Sequence, residues 1–321
     1  MTSKDYFKRA YEPGFWSVEI LTLIYIVFTT VLTIYHWKGI DDPQSMIITR
    51  IVMIAVMAAL YGIYRLYPCR ALRILRVFPA LLGLIFWYPE TYDFCSQYPY
   101  QDHIFAKIDQ DWFGCQPALV FHQLLPSTFW SEAFNMGYYA YYYMMGATIL
   151  FYLFRRYPKA DRAGFIFLFS FFMYYTIYMV VPVAGPQYYF EAVGTMTPEI
   201  NYFPHVGTYF RTHTEMLTPE IKGIFSRLVQ GAQEVGERPT AAFPSSHVGM
   251  STITMMLAWQ TKNKWLFWVM VPIYVLLCCG TVYIQAHYLI DSICGFISAI
   301  LFFYLTSWIY DVTDPSKYAN K

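Results

Sequence analysis

Charged residues are scarce in this 321-residue chain, because they make up 13% of it, against about a quarter in an ordinary soluble domain. The few present nearly cancel, since 22 lysines and arginines are balanced by 21 acidic residues, and no basic run is interleaved with aromatic side chains. The sequence therefore lacks the electrostatic pattern of a nucleic-acid-binding protein. It also has no internal repeat and no low-complexity tract, which favours one continuous membrane domain.

Two further absences concern processing and metal binding. The first apolar run is too long for a signal peptide and has no small-residue cleavage site, so we expect it to remain as a membrane span. No cluster of histidines and carboxylates has the spacing of metal ligands, so no metal or other cofactor is expected. Histidines outside the two motifs described below are scattered: His36, His103, His122, His205 and His213.

Apolar residues dominate instead, with 57% of the chain hydrophobic and 21% aromatic. Crossing the roughly 30 Å hydrocarbon core takes about 20 helical residues. Runs that approach this length predict an all-α, polytopic membrane helix bundle of about eight transmembrane helices. The predicted spans are approximately 15–37, 46–64, 71–88, 133–154, 164–183, 245–261, 265–285 and 288–310.

The basic residues predict how this bundle lies in the membrane. Ten of the 22 lysines and arginines fall in short connections on the side of the termini, at 65–76, 155–162 and 262–264, whereas the first connection and the segment 89–132 on the opposite side hold one lysine each. The positive-inside rule therefore predicts cytoplasmic termini. Two long polar segments, 89–132 and 184–243, then lie on the outer side, where functional groups tend to gather. The short loops and the lack of a long tail favour a bacterial inner membrane, with a site that faces the periplasm.

We expect residues 1–70 to form an N-terminal transmembrane hairpin, added to a six-helix membrane domain within residues 71–321. Glu19 and Arg50, inside the early spans, are expected to pair or to reach the head groups. Cys95 and Cys115 share the first outer segment, where an oxidising compartment permits a disulfide, and the sequence leaves open whether one forms. The aromatic run 137–146, "GYYAYYYMMG", favours an interfacial belt over a ligand cage.

The segment "FPSSHVGMS", residues 243–251, begins an apolar helix with polar residues. Pro244 suits the first turn of a helix, which places Ser245, Ser246 and His247 on that turn. Free amides, hydroxyls and the positive end of the helix dipole converge there, and such a terminus binds phosphate. The alternative is a capped helix whose polar first turn only faces interfacial water.

A second polar cluster occurs in "QAHYLIDSICG", residues 285–295. His287 and Asp291 are four residues apart, so on a helix the carboxylate could accept a hydrogen bond from the ring and fix its tautomer. The alternative is a satisfied polar pair at a helix boundary. The 40 residues between His247 and His287 correspond to about two membrane crossings, which predicts that both histidines reach one site at the outer surface.

Together, "FPSSH" and "AHYLID" resemble the second and third signature motifs of the type 2 phosphatidic acid phosphatase superfamily, and most of all its inositol phosphorylceramide synthase-like lipid phosphotransferase branch. The segment 182–190, "PVAGPQYYF", is similar to the Gly-Pro element of that branch. The resemblance implies that His287 becomes a phosphohistidine, Asp291 orients it and His247 protonates the leaving oxygen. It also makes the following residues candidate substrate contacts: Ser245, Ser246, Gly185, Pro186, Gln187 and Tyr288.

The chain also departs from the phosphatase pattern. Thr281 stands where the phosphatases have an arginine, six residues before the nucleophilic histidine, and their Lys/Arg-Pro element is absent. A site poorer in cations fits a singly charged phosphodiester better than a doubly charged phosphomonoester. Arg238 is expected to contact the phosphate because it is near "FPSSH"; a solvated loop charge is the alternative.

These features predict a phosphotransferase that moves a phospho head group, inositol phosphate first among the candidates, from a phospholipid donor to ceramide or a similar lipid alcohol. A phosphatase acting on a lipid or isoprenoid phosphate is the second interpretation. The third is a transporter or scaffold with structural histidines. The expected partners are the donor, the acceptor and the bilayer, with no nucleic acid. The oligomeric state stays open.

Overall fold

The computed structural model describes residues 14–194, 202–217 and 223–313, and the regular structure in these ranges is helical. The predicted all-α bundle is therefore confirmed. In chain order the α-helices are α1 (Ser17–Tyr35), α2 (Pro43–Leu66), α3 (Arg70–Leu75), α4 (Phe78–Cys95), α5 (Asp102–Phe113), α6 (Pro117–Leu124), α7 (Thr128–Tyr139), α8 (Tyr141–Arg155), α9 (Ala160–Val180), α10 (Pro186–Val193), α11 (Ile224–Gly236), α12 (Ser246–Gln260), α13 (Lys264–Tyr283) and α14 (Leu289–Thr313).

Within the described ranges, 6 helical stretches are long and apolar enough to cross a membrane: α1, α2, α3 with α4, α9 with the turn before it, α13 and α14. The other two predicted spans are helical but shorter. Residues 133–154 fall in α7 and α8, which meet at Ala140, and residues 245–261 form α12. The length and composition of the helices make the chain an integral membrane protein.

Helix α12 lies at the centre of the bundle and packs against α8, α9, α13 and α14. Its 15 residues give a length of about 22 Å, less than the roughly 30 Å hydrocarbon core. Met250 and Ile253 are fully buried. Because protein rather than lipid surrounds α12, it does not need to span the whole hydrocarbon core by itself.

Two buried ion pairs hold the N-terminal hairpin to α3 and α4. The guanidinium of Arg76 binds both carboxylate oxygens of Glu19, at 2.9 and 2.6 Å. Arg50 Nη2 lies 2.6 Å from Glu90 Oε2. Glu19 and Arg50 were expected to pair or to reach the head groups, and the structure shows that each is paired. The domain boundary at residue 70 stays a prediction.

The two outer segments form short helices over one end of the bundle. Helix α5 packs against the start of α14 and against α10, while α11 packs against α7. Cys95 and Cys115 are both free, and the buried Cys95 Sγ lies 3.1 Å from Thr240 Oγ1. The disulfide that the sequence left open is therefore not formed.

Candidate active site

Three connections meet at one end of the bundle, and each holds one of the sequence motifs. The amide of Ala242 donates to the carbonyl of Val183 at 3.1 Å, and the amide of Gln187 donates to the carbonyl of Gln285 at 3.0 Å. Gly185 fits this crossing because its φ is +102° and because a β-carbon there would lie 2.8 Å from the carbonyl oxygen of Ala286. A larger residue would push the first and third connections apart.

The two histidines meet in this place. Nε2 of His287 lies 3.5 Å from Nδ1 of His247, and the ring centroids are 5.7 Å apart. Both side chains can therefore face one ligand. The spacing of the motifs predicted that His247 and His287 reach one site, and the structure shows the two rings next to each other.

The tautomer of His287 is set by a backbone carbonyl. Nδ1 of His287 lies 2.8 Å from the carbonyl oxygen of Ala242, and because a carbonyl can only accept, Nδ1 carries the proton. Nε2 is then left with its lone pair directed towards His247. Asp291 Oδ2 lies 3.8 Å from the same Nδ1, which is too long for a hydrogen bond. The predicted direct hydrogen bond from His287 to Asp291 is therefore wrong, because His287 precedes α14 rather than sharing a helix face with Asp291.

Asp291 instead joins the start of α14 to the start of α12. Its Oδ2 accepts from the amide of Tyr288 at 2.9 Å, and its backbone carbonyl accepts from the amide of Ser245 at 3.0 Å. Oδ1 is buried and has no hydrogen-bond partner among the described residues. The side chain thus caps its own helix and lies close to the His287 ring.

The start of α12 differs from the prediction by two residues. Ser245 is the N-cap, and its Oγ accepts from the amide of Val248 at 3.3 Å. Pro244 therefore precedes the helix instead of lying in its first turn, because the serine hydroxyl provides the better cap. The amide of Ser246 donates to Tyr178 Oη at 3.0 Å, so two of the terminal amides predicted to bind phosphate already have partners.

Sequence reasoning missed two aspartates on α5. Asp102 accepts from the amides of Ala184 and Gly185 at 3.0 and 2.8 Å. Asp109, two turns later, accepts from the amides of Leu289 and Ile290 at 2.8 and 3.0 Å. One helix face therefore holds the Gly-Pro loop and the N-terminus of α14. The spacing of seven residues on one amphipathic helix is the only sequence signal that could have identified them.

Two tyrosines of the aromatic run also contact the site. The ring of Tyr138 stacks on His247 with centroids 4.5 Å apart, and Tyr141 lies 4.6 Å from the same ring. Tyr142 and Tyr143 are exposed, at 67% and 64%. The belt interpretation is therefore wrong for Tyr138 and Tyr141, which contact His247, and fits Tyr142 and Tyr143, which are exposed.

The remaining candidate residues have contacts with residues other than the two histidines. Gln187 is buried, and its Oε1 accepts from Gln233 Nε2 at 3.3 Å. The Tyr288 hydroxyl donates to Asp102 at 3.2 Å, which makes Tyr288 part of the scaffold that holds the motifs. Pro186 is buried in the first turn of α10. Arg238 is exposed, and its Nη1 donates to the carbonyl of Glu237 at 2.9 Å, so its phosphate contact stays a prediction.

Glu237 is a third acidic residue that the sequence did not single out. Its Oε2 is buried without a hydrogen-bond partner among the described residues. The carboxyl lies within electrostatic reach of Tyr138, which stacks on His247. A buried acid close to a histidine pair is a candidate contact for a substrate hydroxyl.

Burial determines the protonation of the titratable groups at this site. Burial lowers the pKa of His287 to about 4, although its hydrogen bond to Ala242 acts in the opposite direction, so the ring is neutral at pH 7. Burial raises the pKa of both Asp102 and Asp109 to about 6, against the effect of their backbone hydrogen bonds. It also raises the pKa of Glu237 to about 7.

The fold and the site thus define an integral membrane protein with a paired-histidine centre at one end of its helix bundle. A family model described as the PAP2 superfamily matches residues 103–305, nearly two thirds of the chain and the whole of the histidine centre. The chain belongs to the PAP2 superfamily, which places it among phosphatases and phosphotransferases that act on lipid phosphates. Searches among curated proteins and solved structures gave no match.

Proposed function

We propose that the protein is a lipid phosphotransferase of the inositol phosphorylceramide synthase-like branch. It moves a phospho head group, inositol phosphate first among the candidates, from a glycerophospholipid to ceramide or a similar lipid alcohol. The observation that carries the proposal is the lone pair of His287 Nε2, which the Ala242 hydrogen bond leaves free and the His247 ring faces. This is the arrangement that a phosphohistidine intermediate requires.

In the first step, His287 Nε2 attacks the phosphorus of the donor in line with the departing diacylglycerol oxygen. The phosphorus–oxygen bond breaks, and the oxygen takes a proton from His247. Burial lowers the pKa of this ring to about 3, so the negative charge of the bound donor is proposed to stabilise its protonated form. The new nitrogen–phosphorus bond leaves positive charge on the His287 ring. Asp291, 3.8 Å from Nδ1, stabilises that charge.

In the second step, His247 removes the proton from the acceptor hydroxyl, and the resulting oxygen attacks the phosphorus. The nitrogen–phosphorus bond breaks, so His287 recovers its lone pair and His247 is again protonated for the next cycle. Ser245 and Ser246 are proposed to hold the phosphoryl oxygens at the start of α12. Gly185, Pro186 and Gln187 are proposed to border the head group.

The scarcity of cations supports a diester donor. Among the described residues, no lysine or arginine pairs or hydrogen-bonds with Ser245, Ser246, His247 or His287. The hydroxyl of Thr281, at the position of the missing arginine, donates to the carbonyl of Cys278 at 2.8 Å, and the residue contacts His287 only through its backbone carbonyl, which accepts from the His287 amide at 3.1 Å. A phosphodiester needs less positive charge than a phosphomonoester, because it carries one negative charge rather than nearly two.

The test uses the full chain reconstituted in nanodiscs. Labelled phosphatidylinositol with ceramide should give a new labelled sphingolipid, and His287→Asn should give none. Phosphatidic acid is supplied in a separate reaction. Release of free phosphate from it, with no sphingolipid formed in the first reaction, would overturn the transferase assignment and establish the second candidate, a lipid phosphate phosphatase, which membership of the superfamily also supports.

A further inference from the structure

A cavity of about 980 Å³ lies at the end of the bundle opposite the histidines. It is bordered by the connection between α8 and α9, the connection between α12 and α13, and the last turns of α14. Helix α9 runs from this cavity towards the Gly-Pro loop, and its 21 residues correspond to about 31 Å. The cavity and the histidine centre are therefore close to opposite surfaces of the membrane.

The rim of the cavity is positively charged. It holds Lys159, Arg162, Lys262 and Lys264, against one acidic residue, Asp311. Arg162 Nε lies 3.2 Å from Asp311 Oδ1, which neutralises one of the four cations. The three lysines are exposed, and none of them forms an ion pair within the part of the chain that the structure describes. A net positive rim of this kind attracts anions.

The interior of the cavity is apolar. Leu257 is buried at its floor, and Phe267 is partly buried beside it. Two tryptophans at its mouth, Trp259 and Trp268, are 64% and 60% exposed. Tryptophan prefers the level of the lipid head groups, where its ring is half in lipid and its N–H in water.

We propose that this cavity binds an anionic phospholipid from the leaflet opposite the histidine centre. Lys159, Lys262 and Lys264 surround the phosphate, and an acyl chain lies against Phe267 and Trp268. Basic pockets between transmembrane helices recognise anionic head groups in this way, and the rim residues belong to the side that the basic connections predict to be cytoplasmic.

A phospholipid fits this cavity better than a small soluble anion. Inorganic phosphate would occupy only the rim, whereas the volume is at the upper end of ligand pockets and its interior offers apolar contacts. The site depends on none of the residues of the histidine centre. The cavity exists only in the folded protein, because it forms where α9 begins and where α12 and α14 end. A lipid bound there therefore stabilises the folded state by mass action.

The experiment compares two charge-neutralised variants of the full chain in detergent micelles. Lys262→Gln with Lys264→Gln removes two rim cations, and Lys38→Gln with Lys107→Gln removes two exposed lysines from the connections at the other end of the bundle. Phosphatidylglycerol, phosphatidylcholine or inorganic phosphate is added to each. Native mass spectrometry measures bound lipid, and the midpoint of thermal unfolding measures stabilisation.

We expect phosphatidylglycerol to bind the unmodified protein and the control variant and to raise their unfolding midpoints. The rim variant should bind it about thirtyfold more weakly, the change expected for two lysines near a lipid head group. Equal binding of phosphatidylcholine, equal affinity in both variants, or the same stabilisation by inorganic phosphate alone would each overturn the proposal. The result is independent of catalysis, so it holds or fails separately from the proposed function.

Discussion

Nε2 of His287 lies 3.5 Å from Nδ1 of His247, and the first of these atoms has no proton of its own. The contact is therefore a weak hydrogen bond in which His247 donates to the lone pair of the proposed nucleophile. A substrate phosphorus must replace this contact in order to reach Nε2. Substrate binding therefore also breaks the contact with His247 and frees His287 Nε2 to attack.

The acid role of His247 can be separated from the nucleophilic role of His287 by the choice of leaving group. His247→Asn should lower the rate of phosphoenzyme formation from a phospholipid by about 10²- to 10⁴-fold, the usual contribution of a general acid. With bis(4-nitrophenyl) phosphate, whose leaving group needs no proton, the loss should be less than tenfold. Stopped-flow absorbance and alkaline-quenched labelling measure the two rates.

His287→Asn is the control for this experiment, since removal of the nucleophile should abolish the phosphoenzyme with both donors. If His247→Asn slowed both donors equally, His247 would not be the proton donor to the leaving group. Its role would then be confined to binding or to holding His287 in place.

Asp109 is predicted to position the start of α14, and Asp111 on the same helix supplies a matched control. Asp109→Asn leaves a neutral acceptor for the amides of Leu289 and Ile290, which weakens charge-assisted hydrogen bonds worth about 1.5–3 kcal/mol. We expect at least a tenfold fall in kcat with KM nearly unchanged. Asp111 is exposed and pairs only with Lys107 among the described residues, so Asp111→Asn should alter kcat less than twofold.

Initial rates over a range of phosphatidylinositol concentrations would give both constants for each variant. Equal kcat values for the two variants would remove Asp109 from the catalytic scaffold. A parallel fall in thermal stability and in kcat that Asp109→Glu does not rescue would reduce its role to folding alone.

The pH dependence of phosphoenzyme formation should reflect the burial of His287. Because burial lowers its pKa to about 4, the ring keeps its lone pair as the pH falls from 7 to 5 and loses it only as the pH approaches 4. An ordinary exposed histidine would be protonated below about 6.5. Bis(4-nitrophenyl) phosphate is the suitable donor, since a diester keeps one charge throughout this range.

Asp102 and Asp109 titrate with a pKa of about 6 each, and their protonation weakens the hydrogen bonds that hold two connections of the site. A loss of rate near pH 6 that disappears when both are changed, in Asp102→Asn with Asp109→Asn, would belong to this scaffold. A loss near pH 6.5 that persists in that double variant would contradict the lowered pKa of His287.

Substitution of Gly185 by alanine tests whether the close approach of two motif connections matters for kcat, and the same substitution at Gly194 is the control. Both have positive φ, +102° and +66°, but only Gly185 has backbone within 4 Å of the position of a β-carbon. Gly185→Ala should therefore lower kcat more than tenfold, because it adds displacement of the Ala286 carbonyl to a backbone strain of about 1–2 kcal/mol. Gly194→Ala adds strain alone and should change kcat less than twofold; equal effects would show that the approach at Gly185 does not matter for catalysis.

The sequence predicted the histidine pair because that prediction needed only the thickness of a bilayer and the rise of a helix. His247 and His287 are two crossings apart, so the hairpin between them returns the chain to the same surface. The carbonyl of Ala242 could not be predicted in the same way, since every residue has a carbonyl and only the fold selects one. Asp102 and Asp109 act on amides more than 80 and 170 residues away, a distance over which no local pattern carries information.

The number and the boundaries of the membrane spans were predicted less well than the class of the fold, for a related reason. Ser245 decides where α12 begins through a single hydrogen bond to Val248, and this outweighs the preference of Pro244 for a first turn. Tyr138, near the end of α7, and Tyr141, at the start of α8, contact His247, whereas Tyr142 and Tyr143 are exposed. For Tyr141, Tyr142 and Tyr143 the difference follows from the packing of α8 against α12, which the local sequence does not show.

The ion pairs of Arg76 with Glu19 and of Arg50 with Glu90 make the first two spans part of what stabilises the rest of the bundle. A shortened chain that began at residue 70 would leave Arg76 and Glu90 buried without these partners, at a penalty of several kcal/mol each. Such a chain would keep every motif of the histidine centre and still be less stable, because two of the contacts that hold the helices together come from residues far from the site.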